Sequence, residues 1–313
     1  MTATPPDEPL RAEEAGPATT CGIVALIGAP NAGKSTLVNA LVGMKVSIVT
    51  HKVQTTRGVV RGIMLEGETQ VILVDTPGIF DPRRRLDRAM VKTAWGSAHD
   101  ADLVCALIDA KRGLDEPAEK MLAGLENIRG PKVLILNKVD LVAKSELLGL
   151  AEEANRQANF DETFMISAQT GSGVAELKTG LCARMPKGPW LYPEDQISDL
   201  PERMLAAEIT REKLMLRLHD ELPYASTVET EQWKRLRNGS VRIEQTIYVE
   251  RESQKKIVLG QGGQTIRAIS QAARAEIAQM IETPVHLFLF VKVRSRWADD
   301  PERYREMGLD FSN

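Results

Sequence analysis

The 313-residue chain has few cysteines and no long apolar run. Cys21, Cys105 and Cys182 are scattered, which argues against a disulfide framework and favours a reducing compartment. No apolar run approaches the roughly 18 residues that a membrane-spanning helix needs. The N-terminus also lacks the basic and then apolar segments of a secretory signal. These absences exclude a disulfide scaffold and a membrane-spanning protein, and they predict a cytoplasmic location.

Charge is nearly balanced over the whole chain, whose formal net charge is −3, but it is unevenly distributed. Residues 251–296 contain eight Lys or Arg residues and only three Glu residues. Such a cluster is either a solvated face or a surface for a polyanion such as nucleic acid. The charge pattern alone leaves both interpretations open, so the motifs within it must decide.

The most informative motif covers residues 28–36, Gly-Ala-Pro-Asn-Ala-Gly-Lys-Ser-Thr, and matches the phosphate-binding spacing G-x-x-x-x-G-K-[ST]. Glycines let backbone N–H groups turn towards phosphate oxygens, Lys34 brings a charge to the β- and γ-phosphates, and Ser35 offers a hydroxyl to Mg²⁺. A strand-length apolar run precedes the motif and helical spacing follows it, which argues against a chance match. The predicted nucleotide-binding residues here are Gly28, Asn31, Ala32, Gly33, Lys34, Ser35 and Thr36.

Residues 21–184 alternate between short apolar strands and helical patterns. This alternation predicts an α/β domain with a mostly parallel sheet and helices on both faces, so ligands should lie beyond the carboxyl ends of the strands. The predicted strands are 23–27, 59–64, 70–75, 103–109, 132–137 and 163–167, and the predicted helices are 33–43, 85–98, 116–127, 145–158 and 173–183.

Two further segments should complete the phosphate site. Asp75-Thr76-Pro77-Gly78 follows a strand, where Asp75 can support Mg²⁺ through water and Gly78 can bring a backbone N–H to the γ-phosphate. Turn chemistry alone also favours this string. Residues 51–57 form a loop from which Thr56, rather than Thr55, should reach Mg²⁺ when the γ-phosphate is present, unless the loop is merely polar surface. The predicted catalytic residues are Lys34, Thr56 and Gly78, and the predicted metal residues are Ser35, Thr56 and Asp75.

The end of the strand at 132–137 carries a signal for guanine, in Asn137-Lys138-Val139-Asp140. A buried carboxylate at Asp140 would pair with the N1–H and N2–H₂ donors of guanine, which adenine does not present in this pattern. The stem of Lys138 can cover the base, and Asn137 can tie this loop to the phosphate loop. After the next strand, Ser167 and Ala168 could offer a backbone N–H to guanine O6.

The remainder of the chain predicts a separate domain with an RNA-binding motif. Residues 1–20 should be a disordered tail and the proline-rich segment 185–200 a semi-rigid linker. A helix at 203–218, strands at 225–233 and 241–250 around Asn238-Gly239, and a strand at 285–293 surround a G-x-x-G loop between two helices. Such a loop is either a helix-terminating turn or a clamp on an RNA backbone. The predicted RNA-binding residues are Gly260, Gln261, Gly262, Gly263, Lys255, Lys256 and Arg267.

Taken in order, GAPNAGKST, QTTR, DTPG, NKVD and SA resemble the Era-type GTPases over residues 21–184. Residues 201–313 resemble a type II KH domain of α+β class, with a C-terminal helix over 297–311. The resemblance implies Mg²⁺-dependent hydrolysis of GTP to GDP, a K⁺ ion near Asn31, and slow turnover because Ile79 stands where many small GTPases have a water-positioning Gln. It also implies a monomer that binds the 3′ region of small-subunit ribosomal RNA and acts in assembly of that subunit.

Two other functions remain open at this point. The chain could be a membrane-associated or cell-cycle regulatory GTPase, peripheral at the inner face of the membrane, with incidental RNA binding. In that case Arg83, Arg84 and Arg85 could contact anionic lipid, although a solvated segment is the simpler interpretation. Alternatively, the protein is a passive KH module whose nucleotide site is only structural.

Overall fold

The computed structural model describes residues 19–311 apart from 54, 83, 220–221, 296 and 298–299. The predicted tail therefore lies outside the described residues, except for Thr19 and Thr20. The first strand already begins at Thr20, earlier than predicted, because its hydroxyl pairs at 2.7 Å with that of Thr69 on the neighbouring strand. Within the described residues no helix is long and apolar enough to cross a membrane.

The first domain has a six-stranded sheet in the order β2-β3-β1-β4-β5-β6. Every neighbouring pair is parallel except β2 and β3, which confirms the predicted mostly parallel sheet. In chain order the elements are β1 Thr20–Gly28, α1 Lys34–Val42, β2 Val60–Glu66, β3 Thr69–Asp75, α2 Arg85–His99, β4 Leu103–Asp109, α3 Glu116–Gly124, β5 Lys132–Asn137, α4 Lys144–Gln157, β6 Glu162–Met165 and α5 Val174–Cys182.

The strands are nearly continuous apolar runs because helices bury both faces of the sheet. Leu26 of β1 packs with Leu37 of α1 and Leu177 of α5 on one face. Ile27 points to the other face, where it packs with residues of α2, α3 and α4 such as Met121. This packing fixes the carboxyl ends of β1, β3 and β5 at one edge, where the predicted motifs lie.

Two predicted bounds in this domain were too long. Helix α3 ends at Gly124, and residues Leu125–Asn127 form a single 3₁₀ turn instead. Strand β6 ends at Met165, because the backbone N–H of Ser167 turns to Ser172 O at 2.9 Å and leaves the ladder.

The segment after α5 has no helix, and single β-bridges join it to the first domain. The side chain of Gln70 holds it: Oε1 accepts from the N–H groups of Leu191 at 2.9 Å and Tyr192 at 3.0 Å, and Nε2 donates to Tyr192 O at 2.8 Å. These bonds give the segment a fixed path without regular secondary structure.

The second domain is α+β, as predicted. Its elements are α6 Glu202–Arg217, β7 Ser226–Arg235, β8 Val241–Val249, α7 Glu252–Leu259, α8 Gln264–Met280, β9 Val285–Val293 and α9 Pro301–Glu306. Strand β8 is central, antiparallel to β7 and parallel to β9. Helices α6, α7 and α8 cover one face of this sheet, where Ile209, Ile247 and Ile269 are buried.

The predicted C-terminal helix over 297–311 is wrong in extent. Among the described residues of this range, the α-helix covers Pro301–Glu306, because Pro301 suits the first turn of a helix and Gly308, at φ 66°, suits its end. Tyr304 of this helix and Leu309 after it pack on the first domain, in one cluster with Leu86 and Met90 of α2. Of the three arginines weighed for lipid contact, Arg83 lies outside the described residues and Arg85 stacks on Phe311 at 4.3 Å.

Candidate active site and RNA-binding loop

The phosphate loop joins β1 to α1, and a larger residue would not fit at its glycines. A Cβ at Gly28 would lie 2.6 Å from Leu107 O, and one at Gly33, where φ is +101°, would lie 2.2 Å from Asn137 Nδ2. The loop borders a cavity of about 250 Å³. Predicted residues that line this cavity are Asn31, Gly33, Lys34, Ser35, Thr36, Thr56, Gly78 and Lys138.

Lys34 is buried at the base of the cavity, where its ammonium group donates to Gly28 O at 3.0 Å and Ala29 O at 3.2 Å. Burial lowers the pKa of Lys34 to about 8, while the nearby Asp75 carboxylate opposes this shift. The amine therefore sits in a low-dielectric site in which a polyphosphate would be a strong partner.

The three predicted metal residues converge on one point. Oδ2 of Asp75 accepts from Ser35 Oγ at 2.6 Å and Thr56 Oγ1 at 3.3 Å, and the two hydroxyl oxygens are 2.9 Å apart. Burial raises the pKa of Asp75, and these hydrogen bonds together with the Lys34 charge oppose the rise. The other oxygen, Oδ1, is buried without a partner. This set of hard oxygen donors fits Mg²⁺.

The hydroxyl groups of Thr55 and Thr56 point in different directions. Thr55 Oγ1 stays within its own loop, 2.7 Å from Thr50 Oγ1 and 2.8 Å from Lys52 O. Ser47 was missed by the sequence analysis, although its hydroxyl donates to Asp75 Oδ2 at 2.6 Å. No motif marks Ser47, because its role depends on how the loop after α1 folds back.

Gly78 and Ile79 pack directly under the phosphate loop. A Cβ at Gly78 would lie 2.8 Å from Pro30 N, so only glycine lets these two backbones approach. The N–H of Ile79 donates to Gly28 O at 2.9 Å, and its side chain is buried with Ile27. Ile79 is therefore a packing residue that brings no polar group to the cavity.

Asn137 ties three segments together, which explains its position in the motif. Its Nδ2 donates to Ala32 O at 2.8 Å, and its Oδ1 accepts from Lys138 N at 2.9 Å and Ala168 N at 3.0 Å. Lys138 Nζ in turn donates to Asn31 O at 2.7 Å and to Asp109 Oδ2 at 2.6 Å. The carboxylate of Asp109, which the motifs did not mark, thus holds the Lys138 stem at the base side of the loop.

Two expectations about the base site need correction. Asp140 is exposed rather than buried, because it lies on the 3₁₀ turn Val139–Leu141 that projects beyond the strand edge. The backbone N–H of Ser167 donates to Ser172 O at 2.9 Å and that of Ala168 to Asn137, so neither is free for guanine O6 in this conformation.

The predicted RNA-binding loop has the conformation that its glycines allow. Gly260, Gly262 and Gly263 all have positive φ, and a Cβ at Gly260 would lie 2.2 Å from Thr265 Oγ1. Gln261 and Gly262 are exposed at the N-terminus of the 17-residue helix α8. Lys255 and Lys256 precede the loop on α7, and Arg267 follows it on α8, so the predicted cations flank the glycines.

The loop of residues 45–57 also contacts the second domain, which the sequence did not reveal. The buried Arg57 guanidinium donates to Ser226 O at 2.8 Å and Pro223 O at 3.0 Å and lies 5.4 Å from the Trp297 ring centre. Burial and the neighbouring Arg211 lower the pKa of Arg57 to about 9. At the other end of the loop, Glu212 of α6 accepts from Val49 N at 2.9 Å.

Glu212 is the centre of an ion cluster between the domains. Its Oε2 lies 2.8 Å from Lys45 Nζ and 2.6 Å from Lys213 Nζ, and both lysines also pair with Glu276 of α8. Burial tends to raise the pKa of Glu212, but hydrogen bonds from Lys213, Lys45 and Val49 outweigh it and the pKa is lowered. The loop after α1 is thereby linked to the helix that begins at the RNA-binding loop.

Glu212→Gln is expected to lower the free energy of unfolding by about 1–3 kcal/mol at pH 7, because it leaves two partly buried ammonium groups facing a neutral amide. Since the pKa of Glu212 is depressed, its stabilisation is present above the unfolded pKa near 4.5 and is lost as pH falls below it. Denaturant unfolding at pH 7 and pH 3.5 measures both effects. The exposed Glu202→Gln on the same helix is the control, and an unchanged stability of Glu212→Gln at pH 7 would contradict the role of the cluster.

Taken together, a phosphate loop, a Mg²⁺-type oxygen cluster and a guanine-type strand end on a parallel sheet, followed by a G-x-x-G domain, define a GTPase that carries a KH domain. Two family models match accordingly: 50S ribosome-binding GTPase over residues 23–138 and KH domain over residues 221–298.

Curated relatives identify the family. The chain is 66% identical over 299 residues to GTPase Era of Afipia carboxidovorans, covering 96% of this chain and 97% of the relative. It is 68% identical over 293 residues to GTPase Era of Brucella suis, covering 94% of each. The chain belongs to the Era family of GTPases.

Solved structures agree over nearly the whole chain. An Era variant of Aquifex aeolicus bound to GDP and AlF4⁻ matches with a TM-score of 0.87 and 36% identity, covering 93% of this chain and 99% of that one. Era in complex with MgGDPNP and nucleotides 1506–1542 of 16S ribosomal RNA matches with a TM-score of 0.86, the same identity and the same coverage. The two-domain fold predicted from the sequence is thereby confirmed.

Proposed function

We propose that this chain hydrolyses GTP slowly and uses its nucleotide state to control RNA binding by its KH domain. The proposed RNA is the 3′ region of small-subunit ribosomal RNA, as in the Era complex with nucleotides 1506–1542, and the proposed task is assembly of that subunit. One observation carries the proposal: Thr56 reaches the Asp75 cluster, while the next residue, Arg57, is buried in the KH domain. A change at the γ-phosphate would therefore alter contacts in both domains.

The proposed task of each residue in hydrolysis follows from its place around the cavity. Ser35 and Thr56 would hold Mg²⁺ directly and Asp75 would support it through water; when bound, the ion neutralises charge that develops on the β- and γ-phosphates. Lys34 offsets the charge on the same oxygens, and the N–H of Gly78 approaches the γ-phosphate. Because Ile79 offers no group to orient water, the attacking water depends on backbone groups, and unassisted turnover is expected to be slow.

Guanine selectivity rests on Asp140 and Lys138. The exposed carboxylate of Asp140 is able to accept the N1–H and N2–H₂ donors once a base covers it, and this contact then excludes water. The Lys138 stem, fixed by Asp109, forms one wall of that site. Adenine would leave the covered carboxylate unpaired.

Asn31 connects the phosphate loop to the loop of residues 45–57, since its Nδ2 donates to His51 O at 3.0 Å. We predict that K⁺ binds beside Asn31 and adds positive charge at the phosphates. Hydrolysis in K⁺ buffer should then exceed hydrolysis in Na⁺ buffer of equal ionic strength by at least about tenfold, since one full charge-stabilising contact is worth about 100- to 1,000-fold. Equal rates in both buffers would rule out this K⁺ site.

Gly262→Asp is expected to weaken RNA binding by at least about tenfold, because it sets a carboxylate among the phosphates at the helix N-terminus. Nothing lies within 4 Å of a Cβ at Gly262, so steric disruption does not explain such a loss. Gly239→Asp is the matched control, since Gly239 also has positive φ and an open surrounding in the same domain. Gel-shift titration measures the affinity, and equal losses in both variants would contradict a specific role for the loop.

The proposed function as a whole is tested by crosslinking the full chain to cellular RNA with GTP or GDP bound, followed by sequencing. We expect enrichment of the 3′ end of small-subunit ribosomal RNA that is greater with GTP. No enrichment in either state would overturn the ribosomal assignment and would favour a regulatory GTPase at the membrane. We further propose a cytoplasmic monomer, with peripheral contact at the inner membrane face as the alternative; fractionation and light scattering test both.

A further inference from the structure

The KH sheet has a second face, on the side away from α6, α7 and α8. Along β9, Leu287, Leu289 and Val291 face the helices, and the residues that alternate with them face outward. Phe288 is 43% exposed and Phe290 is 49% exposed. Two large rings on one strand, two residues apart, thus form a contiguous apolar surface that the sheet itself does not bury.

Guanidinium groups lie over the rings of this outer face. Arg242 of β8 lies 4.6 Å from the ring centre of Phe288, and Arg294 lies 5.9 Å from that of Tyr248. The strand register puts Tyr248 opposite Lys292 and Arg242 opposite Lys234, so these residues share the face.

Arg242 pairs with Glu244 at 2.7 Å, and Lys292 lies 3.8 Å from Glu231. Arg294 also pairs with Asp300 at 2.6 Å, so four cations accompany three carboxylates.

We propose that this outer face binds a second stretch of single-stranded RNA, with bases stacked on Phe288 and Phe290 and phosphates held by Arg242, Lys292 and Arg294. Exposed aromatic rings interleaved with cations are the features that bind single strands without strict sequence preference. An RNA strand would use both features of this face, because its bases can stack on the rings and its phosphates can pair with the cations.

The face adjoins the G-x-x-G side of the domain. Strand β9 is the edge of the sheet, and its Val291 packs with Val258 of α7, the helix that leads into Gly260. A strand that leaves the glycine loop beside β9 can therefore pass around this edge onto the outer face. The inference rests on the proposed RNA binding of this domain. A G-x-x-G loop clamps about four nucleotides, and the outer face would bind further nucleotides of the same strand.

The test compares two RNA lengths and two double variants of the full chain. Phe288→Ala with Phe290→Ala should weaken binding of a roughly 12-nucleotide single strand by at least about tenfold and leave a four-nucleotide strand unaffected. Phe288→Tyr with Phe290→Tyr keeps the rings and should bind like the unaltered protein. Melting temperature and basal GTP hydrolysis, which should not change, report that the alanine variant is folded.

The other outcomes are equally informative. Equal affinity of the unaltered and alanine proteins for the longer strand overturns the outer-face site and leaves the proposed function intact. Failure of the unaltered protein to bind either strand overturns both. If the alanine variant binds naked RNA normally but loses the small ribosomal subunit, the occupant is a protein and the RNA proposal is wrong.

Discussion

Lys34→Ala should reduce GTP hydrolysis by about 100-fold or more, because it removes the buried ammonium that faces the developing charge on the phosphates. The amine is held by Gly28 O and Ala29 O, so it is already aimed into the loop before any phosphate arrives. Single-turnover hydrolysis at saturating Mg²⁺ and GTP separates this effect from weaker binding.

The exposed Lys120→Ala provides the control, since Lys120 pairs only with Asp81 and Glu116 among the described residues. It should hydrolyse GTP like the unaltered protein. A loss below about tenfold in Lys34→Ala would show that the phosphate loop does not operate as assigned. Unchanged RNA binding and subunit maturation in that variant would support a passive KH module instead.

Asp140→Asn should shift the base preference from guanine to xanthine. The variant loses the charged acceptor for N1–H and N2–H₂, and GTP affinity should fall by about 100-fold or more. Xanthine has a carbonyl oxygen at C2, to which the new amide can donate, so XTP should become the better substrate. Competition between fluorescent GTP and unlabelled XTP measures the change.

The control for this variant is Asp195→Asn, an exposed aspartate in the segment after α5. It should retain the preference for GTP. If Asp140→Asn still prefers GTP over XTP, the base does not bind at this strand end, and the exposed position of Asp140 in the structure is its functional position.

The phosphate loop and the strand ends beside it were predictable because their chemistry is local, whereas the exposure of Asp140 was not. The spacing of Gly28, Gly33 and Lys34 dictates a turn before a helix, and the parallel sheet brings Asp75 and Asn137 to the same edge. The choice of Thr56 over Thr55 also agrees with the geometry, since only Thr56 faces Asp75. These are cases in which element order and residue type leave few alternatives.

The contacts between domains were not predictable for the opposite reason. Lys45 and Glu212 are 167 residues apart, and each resembles an ordinary surface charge in the sequence. Arg57 was noted only as the end of a loop, because its burial depends on Ser226 and Trp297 in another domain. The C-terminal segment likewise packs on α2, and its helix is shorter than the one over 297–311 that the family resemblance implied.

The central claim is that the nucleotide bound beside Thr56 controls RNA binding by the KH domain. Its most direct test is the affinity of the full chain for an oligonucleotide of the 3′ end of small-subunit ribosomal RNA, measured with a non-hydrolysable GTP analogue and with GDP. We expect binding to be at least about tenfold tighter with the analogue, a coupling of the size common between linked sites. Thr56→Ala should abolish the difference, and equal affinities of the unaltered protein in the two nucleotide states would contradict the account.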